Sequence, residues 1–133
     1  FDCCLESDGA CAWVVTSAER ARNLKQPPAY IMGAAQGSTS PQHVMTSLNG
    51  TAEAVTTGLE SVFCAKVLFG MAGIEPKDVD VVQIYDHFIP WVIMALEDYG
   101  FCKKGEGGPF VASGAIGSVY LIYQLIIILL MKI

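Results

Sequence analysis

An α/β fold is the class that this 133-residue sequence predicts, and three observations predict it. The run Val81-Val82-Gln83-Ile84-Tyr85-Asp86-His87-Phe88 is rich in β-favouring residues and is bounded by Pro76-Lys77-Asp78 and Pro90, the pattern of a buried strand. From Thr51 to about Ala72, apolar residues recur at the three-to-four spacing of a helix. A short link through Gly73 and Glu75-Pro76-Lys77-Asp78 joins the two. With the upstream strand Ala29–Ala34, this gives the strand, helix, strand spacing of a parallel unit.

The length amounts to one domain, enough to bury about two-thirds of the unfolded surface. Hydrophobic residues make up 53% of the chain and charged residues only 16%, so it has more apolar surface than it can cover alone. A partial chain or an obligate oligomer has this balance. The net charge of −5, with no cluster of Lys and Arg, excludes a nucleic-acid surface. Five cysteines (Cys3, Cys4, Cys11, Cys64 and Cys102) show neither a Cys-x-x-Cys nor a zinc spacing, so no metal is expected and reduced, mostly buried thiols in a cytosolic protein are. No charged leader precedes an apolar core, and the first residue is Phe1, which predicts a cut or partial chain without a signal peptide.

In chain order, Asp8-Gly9 turns into an apolar run, Ala10–Thr16, suited to a buried strand. Thr16 and Glu19 have capping-box spacing, which starts a helix near Ser17 that runs to Lys25 and stops at Pro27-Pro28. The strand Ala29–Ala34 leads into a Gly/Ser/Thr/Pro-rich loop, Gln36 to Gly50, whose His43 reads as a solvated side chain. In the following helix, Val55, Leu59, Val62, Phe63 and Phe69 form the main stripe, with Lys66 among them as a structural cation. Cys64, Leu68 and Met71 make its other side apolar too, so this end is expected to lie between layers.

Pro90 fits the first turn of a helix through Tyr99 that Gly100 ends. Lys103–Pro109 reads as a loop before apolar structure restarts at Phe110-Val111. Ser118–Ile133 changes abruptly to an apolar tail, shorter than the 20 or so residues of a membrane span and broken by Gln124. A buried strand, an interfacial anchor and an unrelated carboxyl end from a truncated or frame-shifted reading frame all fit it, and the last is favoured.

The chemistry-bearing residues gather at the end of the Val81–Phe88 run. If that strand persists, Gln83, Tyr85 and His87 share one face and Ile84, Asp86 and Phe88 the other. Strand ends are where α/β folds open ligand crevices. The same residues also fit a Tyr and a His that close a strand with ordinary satisfied hydrogen bonds.

A set of ordered motifs goes further: Cys3-Cys4-Leu5-Glu6-Ser7-Asp8-Gly9-Ala10, Thr16-Ser17-Ala18-Glu19-Arg20-Ala21, Gly58-Leu59-Glu60-Ser61, Ala72-Gly73-Ile74, Asp78-Val79-Asp80, Tyr85-Asp86-His87-Phe88 and Leu96-Glu97-Asp98-Tyr99-Gly100-Phe101. Together they resemble the thiolase superfamily, most closely its branch of lipid-transfer and acetyl-CoA acetyltransferase-like proteins. The resemblance covers Asp2 to Gly117, the end of an amino-terminal half and most of a carboxyl-terminal half, and leaves 118–133 unmatched. It implies a layered α/β/α/β/α fold present as a partial chain, and acyltransferase or retro-aldol carbon–carbon chemistry on acyl-CoA thioesters in lipid or steroid side-chain metabolism. It implies coenzyme A thioester as substrate, with no bound cofactor. The implied assembly is a homodimer or a hetero-oligomer with an accessory subunit, cytoplasmic or, in a eukaryote, peroxisomal, with no membrane.

At the position of Tyr85-Asp86-His87-Phe88, thiolases carry Asn-Glu-Ala-Phe and sterol-carrier-type thiolases His-Asp-Cys-Phe, whose first residue serves an oxyanion hole. The resemblance therefore implies Tyr85 as oxyanion donor or acid–base group, His87 as its neighbour, and Asp86 and Phe88 as supporting positions. As a base, Tyr85 would need its ordinary pKa of about 10 lowered, and His87 is one candidate for that support. The family's nucleophilic Cys falls upstream of Phe1, and its glycine-rich closing motif has no counterpart from Ser118 onward. The isolated polypeptide is accordingly expected to lack a complete site. The alternative is a non-catalytic acyl-lipid carrier or assembly subunit.

Overall fold

The computed structural model describes residues 4–38, 60–116 and, for the backbone only, 130–132. His43, the predicted helical turns at 51–59 and most of the apolar tail lie outside the described residues.

A short helix, α1, spans Ala18–Ala21, and the Ser17 hydroxyl accepts from the Arg20 N–H at 3.3 Å. The cap is thus Ser17, one residue beyond the expected Thr16, and the helix ends well before Lys25. The apolar run expected as a strand at Ala10–Thr16 has no regular structure, and Trp13, Val14 and Val15 are exposed. A strand forms only where a neighbour completes its ladder and covers its apolar side, and nothing among the described residues does either here.

Strand β1, Tyr30–Gly33, falls within the predicted span. Its partner is β2, Leu130–Lys132, in an antiparallel pair with Tyr30 opposite Lys132 and Ile31 opposite Met131. The parallel unit expected from spacing is therefore not what pairs with β1, and the end of the apolar tail supplies a strand.

Helix α2, Glu60–Ala72, packs on β1. Gly33 permits the close approach: a Cβ there would lie 3.2 Å from the Leu68 carbonyl and 3.3 Å from its Cδ1. The buried face of α2 carries Ala65 and Leu68, with Phe69 and Ala72 beside them, while Phe63 is 59% exposed. Of the expected stripe, Phe69 packs at the core and Val62 is half-buried, but Phe63 faces outward. The helix shows apolar residues all round, so periodicity alone could not choose the face. Phe63, Val67 and Met71, at successive turns, form an exposed apolar line, and Lys66 is exposed beside them. One side of α2 is thus layered and the other open among the described residues.

Gly73, at φ +68°, turns the chain out of α2 into a 3₁₀ turn at Pro76–Asp78, where the Asp78 carboxylate accepts the Glu75 N–H at 2.9 Å. The predicted strand Val81–Phe88 does not form as a strand: Val81 is 80% exposed, residues 81–86 have no regular structure, and only Phe88 makes an isolated bridge. Its end is held by the start of the chain, where the Cys4 N–H donates to the His87 carbonyl at 3.1 Å.

Helix α3, Ile89–Asp98, begins with Pro90 in its first turn and is stopped by Gly100 at φ +79°, as the sequence predicts. Helix α4, Gly107–Ala112, starts inside the predicted Lys103–Pro109 loop. Its cap comes from α3, where the Glu97 carboxylate accepts the Gly107 N–H at 2.9 Å. Local sequence contains no sign of a cap supplied from ten residues upstream. The core gathers Ala65, Leu68 and Tyr99, with Phe69 edge-on to Tyr99 at 6.5 Å.

Candidate active site

A cleft of about 230 Å³ opens where the β1–α2 loop, the first turns of α2, the Val81–Phe88 run and α3 meet. Glu60, Ser61 and Cys64 of α2 line it, with Tyr85 and His87 from the run and Trp91, Ala95 and Tyr99 from α3 and its cap. Gly37 closes against α2 so tightly that a Cβ there would lie 2.6 Å from the Glu60 carbonyl and 2.7 Å from the Cys64 sulfur.

Gln83, Tyr85 and His87 line this cleft together, as alternation along the run predicts, but Ile84, expected on the opposite face, lines it as well. The Tyr85 and His87 rings stack at 5.1 Å and 20°, and His87 stacks in turn on Trp91 at 5.6 Å and 24°. Phe88 meets the imidazole edge-on at 5.4 Å. His87 is buried, and its Nδ1 lies 3.4 Å from the Tyr85 carbonyl. Asp86 is half-buried and does not line the cleft. The Tyr85 hydroxyl lies 3.2 Å from the Cys4 sulfur, 81 residues away in sequence.

A second polar group reaches the cleft through Ser61. Its hydroxyl donates to Asp98, whose side chain is fully enclosed, and Lys104 donates to the other carboxylate oxygen. The chain Ser61–Asp98–Lys104 thus ties α2, α3 and the approach to α4 together. Sequence spacing reveals neither this nor the Cys4–Tyr85 contact, although Cys4, Ser61 and Asp98 each sit inside a motif quoted above.

Burial, and secondarily the Glu60 carboxylate, push the Cys64 thiol up. Burial, then Cys64 and Asp98, raise Tyr99 to about 12. Both groups therefore stay protonated at neutral pH and serve as donors to the cleft; Cys64 does not present a thiolate nucleophile. Burial, followed by Glu97 and Glu106 and opposed by Lys104, also raises Cys102. Cys4, Cys64 and Cys102 are half-buried and Cys11 is exposed, so none of the four described is fully buried, against the sequence expectation. Among the described residues no His/Cys/Asp/Glu group has a metal-holding arrangement, and no helix is long and apolar enough to cross a membrane.

The chain belongs to the thiolase C-terminal domain-like family, whose model matches residues 37–118. Among individual relatives, it is 47% identical over 115 residues to the steroid side-chain-cleaving aldolase of Thermomonospora curvata, a match covering 86% of this chain and 29% of that protein. It is 46% identical over 121 residues to the 17-hydroxy-3-oxo-4-pregnene-20-carboxyl-CoA lyase of Mycobacterium tuberculosis, covering 87% of this chain and 30% of that one. A solved chain of the Ltp2-ChsH2(DUF35) aldolase superposes with a TM-score of 0.78 at 45% identity, over 87% of this chain and 30% of its own length. The thiolase-like fold class is therefore established, and the chain spans a little under a third of these relatives.

Proposed function

We propose that this chain supplies part of the site of a thiolase-like carbon–carbon lyase that acts on acyl-CoA thioesters by retro-aldol cleavage, with a steroid-type side chain as the acyl group. The observation that carries the reading is Tyr85 at the cleft, its ring stacked on His87 and its hydroxyl at the Cys4 sulfur. The two relatives named above, a side-chain-cleaving aldolase and a CoA lyase, support it.

In such a cleavage the hydroxyl on the β-carbon loses a proton, its carbon becomes a carbonyl, and the Cα–Cβ electron pair passes into the thioester as an enolate. Protonation at the α-carbon then releases the shortened acyl-CoA. Tyr85 is the acid–base group that takes and returns this proton. His87 packs against its ring and fixes its direction. Ser61, Cys64 and Tyr99 face the cleft with protons or lone pairs available to orient the thioester. Coenzyme A enters as part of the substrate.

The proposed assembly is a hetero-oligomer with an accessory subunit, which the composite name Ltp2-ChsH2(DUF35) supports for that aldolase. The exposed line of Phe63, Val67 and Met71 supports a covering neighbour. Asp2 to Gly117 is read as the thiolase-like part and 118–133 as a tail outside it.

The test replaces the matching segment of the Thermomonospora curvata aldolase with residues 2–116 of this chain. Cleavage of its steroid acyl-CoA substrate, followed by mass spectrometry of the shortened thioester, is the expected outcome. A folded chimera that binds the thioester and leaves it intact overturns the lyase reading and favours a carrier.

A further inference from the structure

We propose that Cys4 is the proton partner of Tyr85, so that thiol and phenol titrate as one couple and Tyr85 relays a substrate proton onto the Cys4 sulfur. The proposal rests on the reading of Tyr85 as the acid–base group and supplies what that reading lacks, a source of its basicity.

Cys4 is held at two points on the segment that carries Tyr85. Its N–H donates to the His87 carbonyl at 3.1 Å, and its sulfur lies 3.2 Å from the Tyr85 hydroxyl. The backbone contact fixes the register of the two segments, and the side-chain contact is a hydrogen bond in which either atom can hold the proton. Sulfur accepts at such distances, and a thiolate accepts far better than a thiol.

With the proton off sulfur, the thiolate accepts the phenol O–H across the same contact, and the apparent titration values belong to the pair. Tyr85 then acts as a base without first becoming a phenolate. As the β-hydroxyl proton moves to the Tyr85 oxygen, the Tyr85 proton moves to the Cys4 sulfur. The C–O bond becomes a carbonyl, the Cα–Cβ bond breaks, and the negative charge passes from sulfur to the thioester enolate. Return of the proton from Tyr85 to the α-carbon, with the Cys4 proton moving back to Tyr85, restores the thiolate and phenol. No oxidant or reductant takes part.

Among the described residues, the titratable groups around the couple include His87, stacked on Tyr85, Asp86 next to Tyr85 in sequence, and Glu60, Cys64 and Tyr99, which line the same cleft. A protonated His87 favours ionisation of the couple, and the Glu60 and Asp86 carboxylates oppose it.

The experiment is the pH dependence of iodoacetamide alkylation at Cys4, located by tandem mass spectrometry in the full 133-residue chain carrying Cys3→Ser. Exposed Cys11 in the same sample serves as the reference thiol. Tyr85→Phe removes the donor to the thiolate, so the Cys4 midpoint rises by about half a pH unit or more, about a threefold loss of thiolate at a fixed pH below both midpoints. The Cys11 midpoint stays where it was. A Cys4 midpoint unmoved by Tyr85→Phe overturns the proposal.

Should that variant fail to fold, the converse titration decides. In Cys4→Ala, the phenolate absorbance belonging to Tyr85 appears at lower pH, because no thiolate opposes its ionisation; an unchanged phenolate midpoint rejects the couple. Both readings use the chain without substrate. A coupled titration in a chain whose chimera lacks lyase activity leaves the couple standing and removes the function, and the opposite result does the reverse.

Discussion

The imidazole of His87 lies nearly parallel to the phenol of Tyr85, with ring centres 5.1 Å apart, and carries the indole of Trp91 at 5.6 Å. Three aromatic rings from one run and the first turn of α3 thus form a continuous wall of the cleft. His87→Phe keeps a ring of similar size, so the urea midpoint should correspond to a loss within about 1 kcal/mol. His87→Ala leaves a buried void and should cost about 2–4 kcal/mol. Equal losses in the two variants would show that ring packing is not what holds the wall.

The enclosed Asp98 carboxylate accepts from Ser61 and Lys104, and the Lys104 side chain is 30% exposed. Lys104→Met leaves a buried charge with one partner fewer. Because Lys104 is partly solvated, the expected cost is about 1–3 kcal/mol, less than for breaking a fully enclosed pair. Adding Asp98→Leu should recover part of that loss in a denaturant titration; a further large loss contradicts this account of the pair.

Tyr99 carries a folded-state pKa raised to about 12, first by burial. An unfolded tyrosine titrates near 10, so between these values the unfolded chain holds fewer protons than the folded one. The stabilisation is fully present below about pH 10 and is lost as pH rises toward 12. Urea midpoints should fall across that window in the parent chain, and Tyr99→Phe should remove most of the pH-dependent part of the fall. An unchanged slope in the variant would assign the alkaline loss to other groups.

Much of the carboxyl-terminal half was legible in the sequence. Pro90 and Gly100 bracket α3 because each acts through its own backbone angles. Alternation along the run also put Tyr85 and His87 on one side, at the cleft, but the run forms no ladder and Ile84 from the other expected side reaches the cleft too. What stayed hidden depends on contacts between distant residues: the Glu97 cap on α4, the Ser61–Asp98 link, Cys4 beside Tyr85, and β2 beside β1. The buried face of α2 was misread because nearly every position there is apolar, so packing against Gly33 decides the rotation and periodicity does not.

That Glu97 contact gives Gly107 a specific constraint. A Cβ at Gly107 would lie 2.6 Å from the Ile93 Cγ2, 2.9 Å from the Glu97 carboxylate and 3.1 Å from the Ile93 carbonyl. The last is backbone and yields little. Gly107→Ala should therefore destabilise by about 1–3 kcal/mol, despite the gain in helix propensity an alanine brings elsewhere. A thermal midpoint equal to or above the parent's would show that α4 shifts freely on α3.

The central claim is that Tyr85 moves the proton in carbon–carbon cleavage, and turnover of the chimera carrying Tyr85→Phe tests it most directly. The account predicts a fall in kcat of about 10²–10⁴-fold, as for loss of a positioned acid–base group, with KM and the thermal midpoint little changed. Turnover equal to that of the chimera retaining Tyr85 would contradict it.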